Sequence, residues 1–525
     1  MTTARPGEAS RDRDELTQLR KLREQAVAGG GARRVQAQHA RGKQTARERL
    51  ALLVDEGTFT ELGALATHDR TDFGMAEQRF PGDGIVTGFG KVNGRRVAVF
   101  AQDFTVLGGS FSQVQARKIS RIQDLAMASG IPLIGLNDSG GARVQEGVHS
   151  LAAYGEVFAR NVRASGVIPQ LSIIMGPCAG GAVYSPALTD FTVMVEGTSN
   201  MFLTGPEIIR SVTGEQVDAE SLGGAMIHNA RSGVAQFVAP SEAAALGLAK
   251  ALLAYLPQNN TEDPPRLTPN DPPERMDEAL NTIVPSDELT AYDMRDVLAS
   301  VFDTDSLLEV HEHFARNAIV AFARLDGRPV GVIANQPMVM SGALDIDSSD
   351  KISRFVRICD MFGIPLVTFV DCPGFLPGVS QEYGGVIRHG AKIIFAYCQA
   401  TVPKLSVVTR KAIGGSYVAL SSRQMGNDIA FAWPTAQIAV MGAEGAARLL
   451  NHSALKTADD PAALEQRFIA EYREAFFNPY RAADAGQIDE VIEPAETRPR
   501  LIQALDVLAT KVETGLPKRH GLFPS

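Results

Sequence analysis

The tetrapeptide Lys-Ile-Ser-Arg stands at 118–121 and again at 351–354, a separation of 233 residues, and such self-similarity means that the chain writes one structural unit twice. The same separation carries Gly94-Arg95 onto Gly327-Arg328, Gly130-Ile131-Pro132 onto Gly363-Ile364-Pro365 and Asp138 onto Asp371. It widens to 234 between Gly180-Gly181 and Gly414-Gly415, and to 237 between the pair Gly205, Glu207 and the pair Gly442, Glu444. Residues 85–210 and 318–447 are therefore read as copies. Length agrees, because 525 residues exceed the roughly 250–300 at which a single core stops growing. Between the copies, prolines at 257, 264, 265, 269, 272 and 273 oppose helix and sheet alike. The predicted organisation is an N-terminal domain over 1–256, a linker over 257–273 and a C-terminal domain over 274–525.

Inside each copy, short β-branched runs such as IPLIGLND, PQLSIIMG and FTVMVEG alternate with helical stretches at 112–129 and 150–164. That is a repeated β/α pattern. The apolar runs stop at glycine-rich turns: Asp-Ser-Gly-Gly at 138–141, Gly-Pro-Cys-Ala-Gly-Gly at 176–181 and Asp-Cys-Pro-Gly at 371–374. Open α/β sheets keep their sites at such strand ends.

A Gly-Gly pair leading into a helix exposes backbone N–H groups that can be aimed at an oxyanion. Gly180-Gly181-Ala182 and Gly414-Gly415-Ser416 occupy equivalent places, so the chain would own two oxyanion holes; the competing reading is two tight packing turns. A serine nucleophile is set aside. Gly414-Gly415-Ser416-Tyr417-Val418 approaches the G-x-S-x-G elbow, but Val418 replaces the last glycine and the other copy has Ala182 in place of Ser416. The stretch from Gly88 to Gly94 brings its third glycine one residue late for a dinucleotide fingerprint and reads as a strand with a hairpin turn. Neither a P-loop nor an H-E-x-x-H motif occurs, so ATP and zinc hydrolysis lack their signatures and no bound metal is expected. Oxyanion donors without a side-chain base suit a reaction whose partner molecule brings its own base. Biotin chemistry has that property: once CO2 has left, the ureido group can take the α proton of a thioester.

Bulk charge excludes other classes. With 51 basic and 60 acidic residues the net charge is −9, which opposes generic nucleic-acid binding. Arg33, Arg34, Arg41, Lys43, Arg47 and Arg49 form a local basic cluster, read as a solvated helix face rather than a phosphate site, with Thr45 and Glu48 spaced as a capping box. The four cysteines, Cys178, Cys359, Cys372 and Cys398, include no CxxC pair and are read as reduced and mostly packing. No apolar run approaches the ~18 residues of a membrane span, and the charged N-terminus does not resemble a secretory signal, so a cytoplasmic protein is expected.

Longer motifs complete the picture: QHARGKQTARERLALLVDEGTFTE at 38–61, NDSGGARVQEGV at 137–148, GPCAGGAVYSPALTDF at 176–191, DCPGFLPGVSQEYGGVIRHGAKIIFAY at 371–397 and AWPTAQIAVMGAEGA at 432–446. In these the chain resembles, along nearly its whole length, the carboxyltransferase (β) subunits of propionyl-CoA and related biotin-dependent acyl-CoA carboxylases. The resemblance implies an α/β fold of two tandem ClpP/crotonase-like domains related by duplication. It implies acyl-CoA held by the N-terminal copy and biotin by the C-terminal copy of a partner subunit, in a homo-hexamer. Gly180 and Gly181 would stabilise the thioester enolate, and Gly415 with Ser416 the ureido oxygen. Ser139, Gly140, Gly141, Ala142 and Arg143 would lie on the CoA side; Gly374, Phe375, Leu376, Gly378, Gln381, Glu382 and Tyr383 would line the biotin side. Two departures stand out: Ser416 replaces the family's usual alanine, and Val418 and Ile413 replace the aspartate and tyrosine of propionyl-specific members, which implies a more apolar pocket and a substrate choice other than strict propionyl-CoA preference, with acetyl-CoA and longer acyl chains both open. A Met-Lys-Met biotinylation signature and an ATP-binding half do not occur, so carboxybiotin would come from a separate biotinylated α subunit with biotin carboxylase and carrier functions. Transcarboxylases and acyl-CoA decarboxylases use the same domain pair and are the alternative reading; a non-catalytic assembly subunit is a second.

Overall fold

Strands flanked by helices on a mostly parallel sheet must bury both faces, and the strands here are buried along most of their length, with apolar residues predominating. A computed structural model describes residues 6–525 apart from Asn270, Ser286 and Glu288; residues 1–5 of the charged N-terminus and Asn270 of the predicted linker lie outside the described residues. Two compact units result, Met1–Glu262 and Asp263–Ser525.

In the first unit β1 (Thr60–Leu62), β2 (Ile85–Val92) and β3 (Arg95–Gln102) pair antiparallel, and β4 (Leu133–Ser139), β5 (Gln170–Ala179) and β6 (Phe191–Val195) continue in parallel. Then β7 (Asn200–Phe202) adds beside β5, and β8 (Phe237–Ala239) ends the row beside β6. The second unit repeats this scheme. There β9 (Leu308–Val310), β10 (Ala318–Leu325) and β11 (Arg328–Asn335) are antiparallel, and β12 (Leu366–Cys372), β13 (Lys404–Ile413) and β14 (Ile429–Ala432) are parallel; β15 (Gln437–Ala439) lies beside β13 and β16 (Glu490–Val491) beside β14. The units are two crotonase-like α/β domains produced by duplication.

Each repeated motif has a backbone reason. Asn93-Gly94 and Asp326-Gly327 are two-residue hairpin turns with every φ positive, at 49°, 78°, 50° and 72°, the conformation a tight hairpin between right-twisted strands requires. Gly130 ends the helix Gln113–Ser129 in the left-handed region, and Gly363 has the same φ sign just past the helix Ile346–Met361. The described residues of the proline-rich segment are stitched to the unit on either side of the division: Asn260 N–H donates to Val167 O and Leu267 N–H to Gly327 O, both at 3.0 Å.

The lysines of the repeated tetrapeptide are buried cations that hold turns by their carbonyls. Lys118 Nζ donates to Gly82 O at 3.1 Å and to Ile85 O. Lys351 Nζ donates to the carbonyls of His311, Phe314 and Ala318 at 2.9, 2.8 and 2.7 Å. Burial pushes Lys118 down to about 8 and Lys351 down to about 7. Each lysine therefore binds fewer protons folded than unfolded between its lowered pKa and its ordinary value, and stability from this source rises with pH across that window. Lys351→Met removes the titration, so the gap in urea midpoint between wild type and Lys351→Met widens from about pH 7 to pH 10; a pH-independent gap contradicts the assignment.

Candidate active site

The parallel strands of both units end at the glycine turns, and one aspartate sits under each. Pairing of β4 with β5 slips between Asn137 and Ser139, and pairing of β12 with β13 slips between Val370 and Cys372. The skipped residues are Asp138 and Asp371, neither with any exposed surface. Asp138 N–H donates to Gln102 Oε1 (3.1 Å) and Asp371 N–H to Asn335 Oδ1 (3.3 Å), the equivalent residue.

The two carboxylates are neutralised differently. Lys43 Nζ lies 2.7 Å and Arg49 Nη1 2.9 Å from Asp138 Oδ2. Arg49 then reaches Glu242, with Nη2–Oε1 at 2.5 Å and Nε–Oε2 at 3.1 Å. Burial lowers the pKa of Lys43, with Asp138 opposing. In the second unit Arg410 of β13 itself pairs with Asp371 at 2.9 Å, and Lys411 N–H donates to the other oxygen at 3.1 Å. The expected solvated basic face is thus corrected for half its members. Arg33, Arg34 and Arg41 are exposed, whereas Lys43 and Arg49 are buried because Asp138 and Glu242 require cations, and Arg47 pairs with Glu61 at 2.7 Å. The Thr45–Glu48 capping box forms and starts the helix Ala46–Leu53 that carries Arg49 inward.

At the first turn Gly180 has φ 60°, a conformation that disfavours side chains, and both Gly180 and Gly181 keep part of their surface. Beside it the loop after β4 exposes Gly140 and leaves Ala142 half-buried. Ser139 and Arg143, which the resemblance puts on the CoA side, are both buried. Ser139 Oγ accepts the Gly141 N–H at 3.2 Å, and the Arg143 guanidinium is sealed against Asp83, 2.9 Å from each carboxylate oxygen, with Glu146 at 3.3 Å. Arg143 shapes the loop from within.

The second turn has the same frame. Gly414, with φ 67°, donates its N–H to Ala439 O at 2.9 Å; Gly415 is exposed, and a Cβ built on it meets no atom within 4 Å. The first N–H groups of the helix Gly415–Ala419 have no partner within it. Ser416, which the resemblance pairs with Gly415 at the ureido oxygen, has no accessible surface and donates its hydroxyl to Ile413 O at 2.8 Å, whereas Gly415 is the exposed residue of the turn. Val418 is 43% exposed and Ile413 half-buried. The neighbouring loop is anchored by the reciprocal bonds Leu344 N–Gly374 O (3.0 Å) and Leu376 N–Leu344 O (2.6 Å), and by Gln381 Oε1, which accepts the Ile346 N–H at 3.2 Å. Gly374 and Gly378 hold positive φ of 142° and 152°; Glu382 and Tyr383 face outward, the latter 90% exposed, and Phe375 turns inward onto Gly390.

Across 176–183 the only ionisable side chain is Cys178, buried and pushed up to about 12. The turns therefore offer donors and shape, without a side-chain base between Gly176 and Val183.

Duplicated crotonase-like domains with paired glycine turns define a two-domain carboxyltransferase. Residues 37–523 match the carboxyl transferase domain family. A propionyl-CoA carboxylase carboxyltransferase subunit of Haloferax mediterranei is 55% identical over 511 residues, covering 97% of this chain and 99% of that protein. The methylmalonyl-CoA decarboxylase subunit alpha of Veillonella parvula is 55% identical over 497 residues, 95% and 96% of the two chains. A solved transcarboxylase 12S structure, described as a hexamer assembly with methylmalonyl-coenzyme A and methylmalonic acid bound, has a TM-score of 0.96 at 52% identity and covers 100% of both chains. The chain belongs to the carboxyl transferase family, as a carboxyltransferase subunit of the acyl-CoA carboxylase and transcarboxylase type. Its family works with biotin carried on a partner and with acyl-CoA. Among the described residues no helix is long and apolar enough to cross a membrane.

Removing one member of a buried ion cluster strands the rest. Arg49→Met should cost about 3–5 kcal/mol in urea unfolding, whereas Arg41→Met on the exposed part of the same cluster should leave the midpoint unchanged.

Proposed function

We propose that the chain transfers a carboxyl group between carboxybiotin and the α-carbon of a short acyl-CoA of about propionyl size, with the two glycine turns dividing the work. The observation that carries this reading is the equivalence of the turns, each at the end of a duplicated parallel sheet above a buried aspartate. Carboxybiotin, borne by a biotinylated α subunit, supplies the carboxyl group and the base. The N–H groups of the Gly180-Gly181 turn hold the thioester oxygen as the α proton leaves and negative charge moves onto it. The second turn receives the ureido oxygen at Gly415, the start of the helix that also carries Ser416; space above Gly415 and the outward face of Glu382 and Tyr383 fit a ligand presented from outside. Each such donor set is worth roughly 3 kcal/mol. Gly140 and Ala142 border the CoA side. In a hexamer, the first turn of one copy would work with the second turn of a partner copy, which places Val418 and Ile413 at the acyl group.

Relatives named for decarboxylation and transcarboxylation are as similar as those named for carboxylation, so direction is the second reading. Supplied with a biotinylated α subunit, ATP and bicarbonate, the protein carboxylates propionyl-CoA; turnover only with a malonyl-type thioester donor would reverse the assignment.

Gly415→Val tests the second turn, since its Cβ meets nothing within 4 Å. Folding and assembly should be unchanged while carboxyl transfer falls at least ~100-fold; retained activity contradicts the assignment. Val418→Asp should shift relative kcat/KM among acetyl-, propionyl- and octanoyl-CoA toward propionyl-CoA. Unchanged ratios remove Val418 from acyl selection.

A further inference from the structure

One buried aromatic residue touches the floor of the first turn and has no counterpart in the second. Tyr154 lies on the helix Val148–Ala164 and is 4% exposed. Its ring stacks on Phe111 with centroids 3.9 Å apart and planes 11° apart; Phe158 continues the column at 5.7 Å, and Tyr184 meets Phe158 edge-on at 6.1 Å. Tyr184 begins the helix into which the Gly180-Gly181 turn runs. A Cβ built on Gly181 would stand 3.0 Å from Cδ2 and Cε2 of Tyr154, so the backbone of the turn rests on the ring edge and only glycine lets it come so close. The hydroxyl is buried beside Ser139; burial raises its pKa and Ser139 opposes. The ring therefore stands between the two loops of the acyl-CoA side, 139–142 and 180–182.

The second copy solves the same packing problem from the opposite side. Inward positions on the helix Val148–Ala164 include Ser150, Tyr154, Val157 and Asn161, and those on Val386–Gln399 repeat the spacing with Val386, Gly390, Ile393 and Tyr397. Gly390 thus replaces Tyr154. The isolated bridges Phe111–Ala142 and Leu344–Phe375 are equivalent, so Phe375 stands where the first copy has Ala142. A Cβ on Gly390 would lie 2.9 Å from the Phe375 ring, which fills the space from the loop side. One aromatic ring is kept and its donor exchanged, from helix to loop. As a result Gly415 rests on nothing within 4 Å where Gly181 rests on a ring.

We propose that Tyr154 is a positioning residue for carboxyl transfer: its ring, backed by Phe111, sets the height and rigidity of the Gly180-Gly181 turn so that the N–H groups meet the thioester oxygen at the transition state. The inference rests on the first turn being the enolate hole. A misplacement near 1 Å costs on the order of 100-fold in rate, whereas ground-state binding of a long CoA thioester, spread over many contacts, is nearly indifferent to it.

The test uses the assembled protein with its biotinylated partner and compares Tyr154→Phe, Tyr154→Leu and Phe111→Leu. Tyr154→Leu should lower kcat for propionyl-CoA at least about 10-fold with KM within about threefold, and Tyr154→Phe, which keeps the ring, should stay within about threefold of wild type in both. Phe111→Leu, the residue type found at the equivalent Leu344, should give a smaller loss of the same kind; it carries the test alone if Tyr154→Leu does not assemble. Ala142→Phe added to Tyr154→Gly returns an aromatic from the loop side and should recover most of the kcat lost by Tyr154→Gly. Full kcat in Tyr154→Leu, equal losses in Tyr154→Phe and Tyr154→Leu, or a change confined to KM would each overturn the proposal. Gly181→Val separates the two levels: if it retains carboxyl transfer the enolate-hole reading itself is wrong, and if it is inactive while Tyr154→Leu and Phe111→Leu are normal only the positioning role fails.

Discussion

The first unit depends on how a carboxylate with no exposed surface is matched by cationic partners. Taking an ion out of water costs several kcal/mol, repaid only by close partners and hydrogen bonds. Asp138 is met by Lys43 and Arg49, and Arg49 by Glu242, which closes a cluster of two cations and two anions. Three distant pieces of chain, the segment 38–50, the end of β4 and the helix Glu242–Tyr255, are thereby brought to one point directly below the glycine loops. Gly176 of β5 passes so close that any side chain there would overlap both Asp138 and Lys43. The loop at 139–142 and the turn at 180–181 inherit their positions from that point.

Duplication preserved the frame and released the fillings. Both copies place an aspartate in a slip between parallel strands and bond its N–H to an amide side chain at the end of the preceding strand, Gln102 or Asn335. The first copy imports its cations from the N-terminal segment; the second uses Arg410 on the adjacent strand, stacked over Tyr292 with the guanidinium carbon 5.0 Å from the ring centre. The aromatic fill moved likewise, from a helix in one copy to a loop in the other. Such exchanges keep packing volume, which cores tolerate, while they change what each turn rests on. A braced turn and an open turn suit different ligands: a thioester whose oxygen must be caught in one place, and a carrier-borne group that must enter and leave.

Much of this was legible in the sequence because duplication doubles every backbone constraint. Gly94 and Gly327, Gly130 and Gly363, and Lys118 and Lys351 repeat for reasons of φ sign or carbonyl coordination that admit few substitutes. What escaped was set by contacts between residues far apart along the chain. Lys43 and Arg49 look like their exposed neighbours Arg33, Arg34 and Arg41 until Asp138 and Glu242 are placed beside them. Arg143 follows a glycine loop and reads as a ligand contact, yet its partner Asp83 turns it inward. Ser416 reads as an edge donor beside Gly415, yet it has no accessible surface and turns its hydroxyl back onto Ile413 O. Tyr154 carried no signal, since an aromatic residue on an inward helix face is ordinary core.

The central claim is that the first turn holds the thioester and the second the carrier-borne group. It is tested most directly by an experimental structure of the assembled protein with propionyl-CoA and free biotin bound. The account predicts the thioester oxygen within about 3 Å of N–H groups of the Gly180-Gly181 turn and the ureido oxygen at Gly415. A thioester oxygen seated at Gly415, or lying against neither turn, would contradict it.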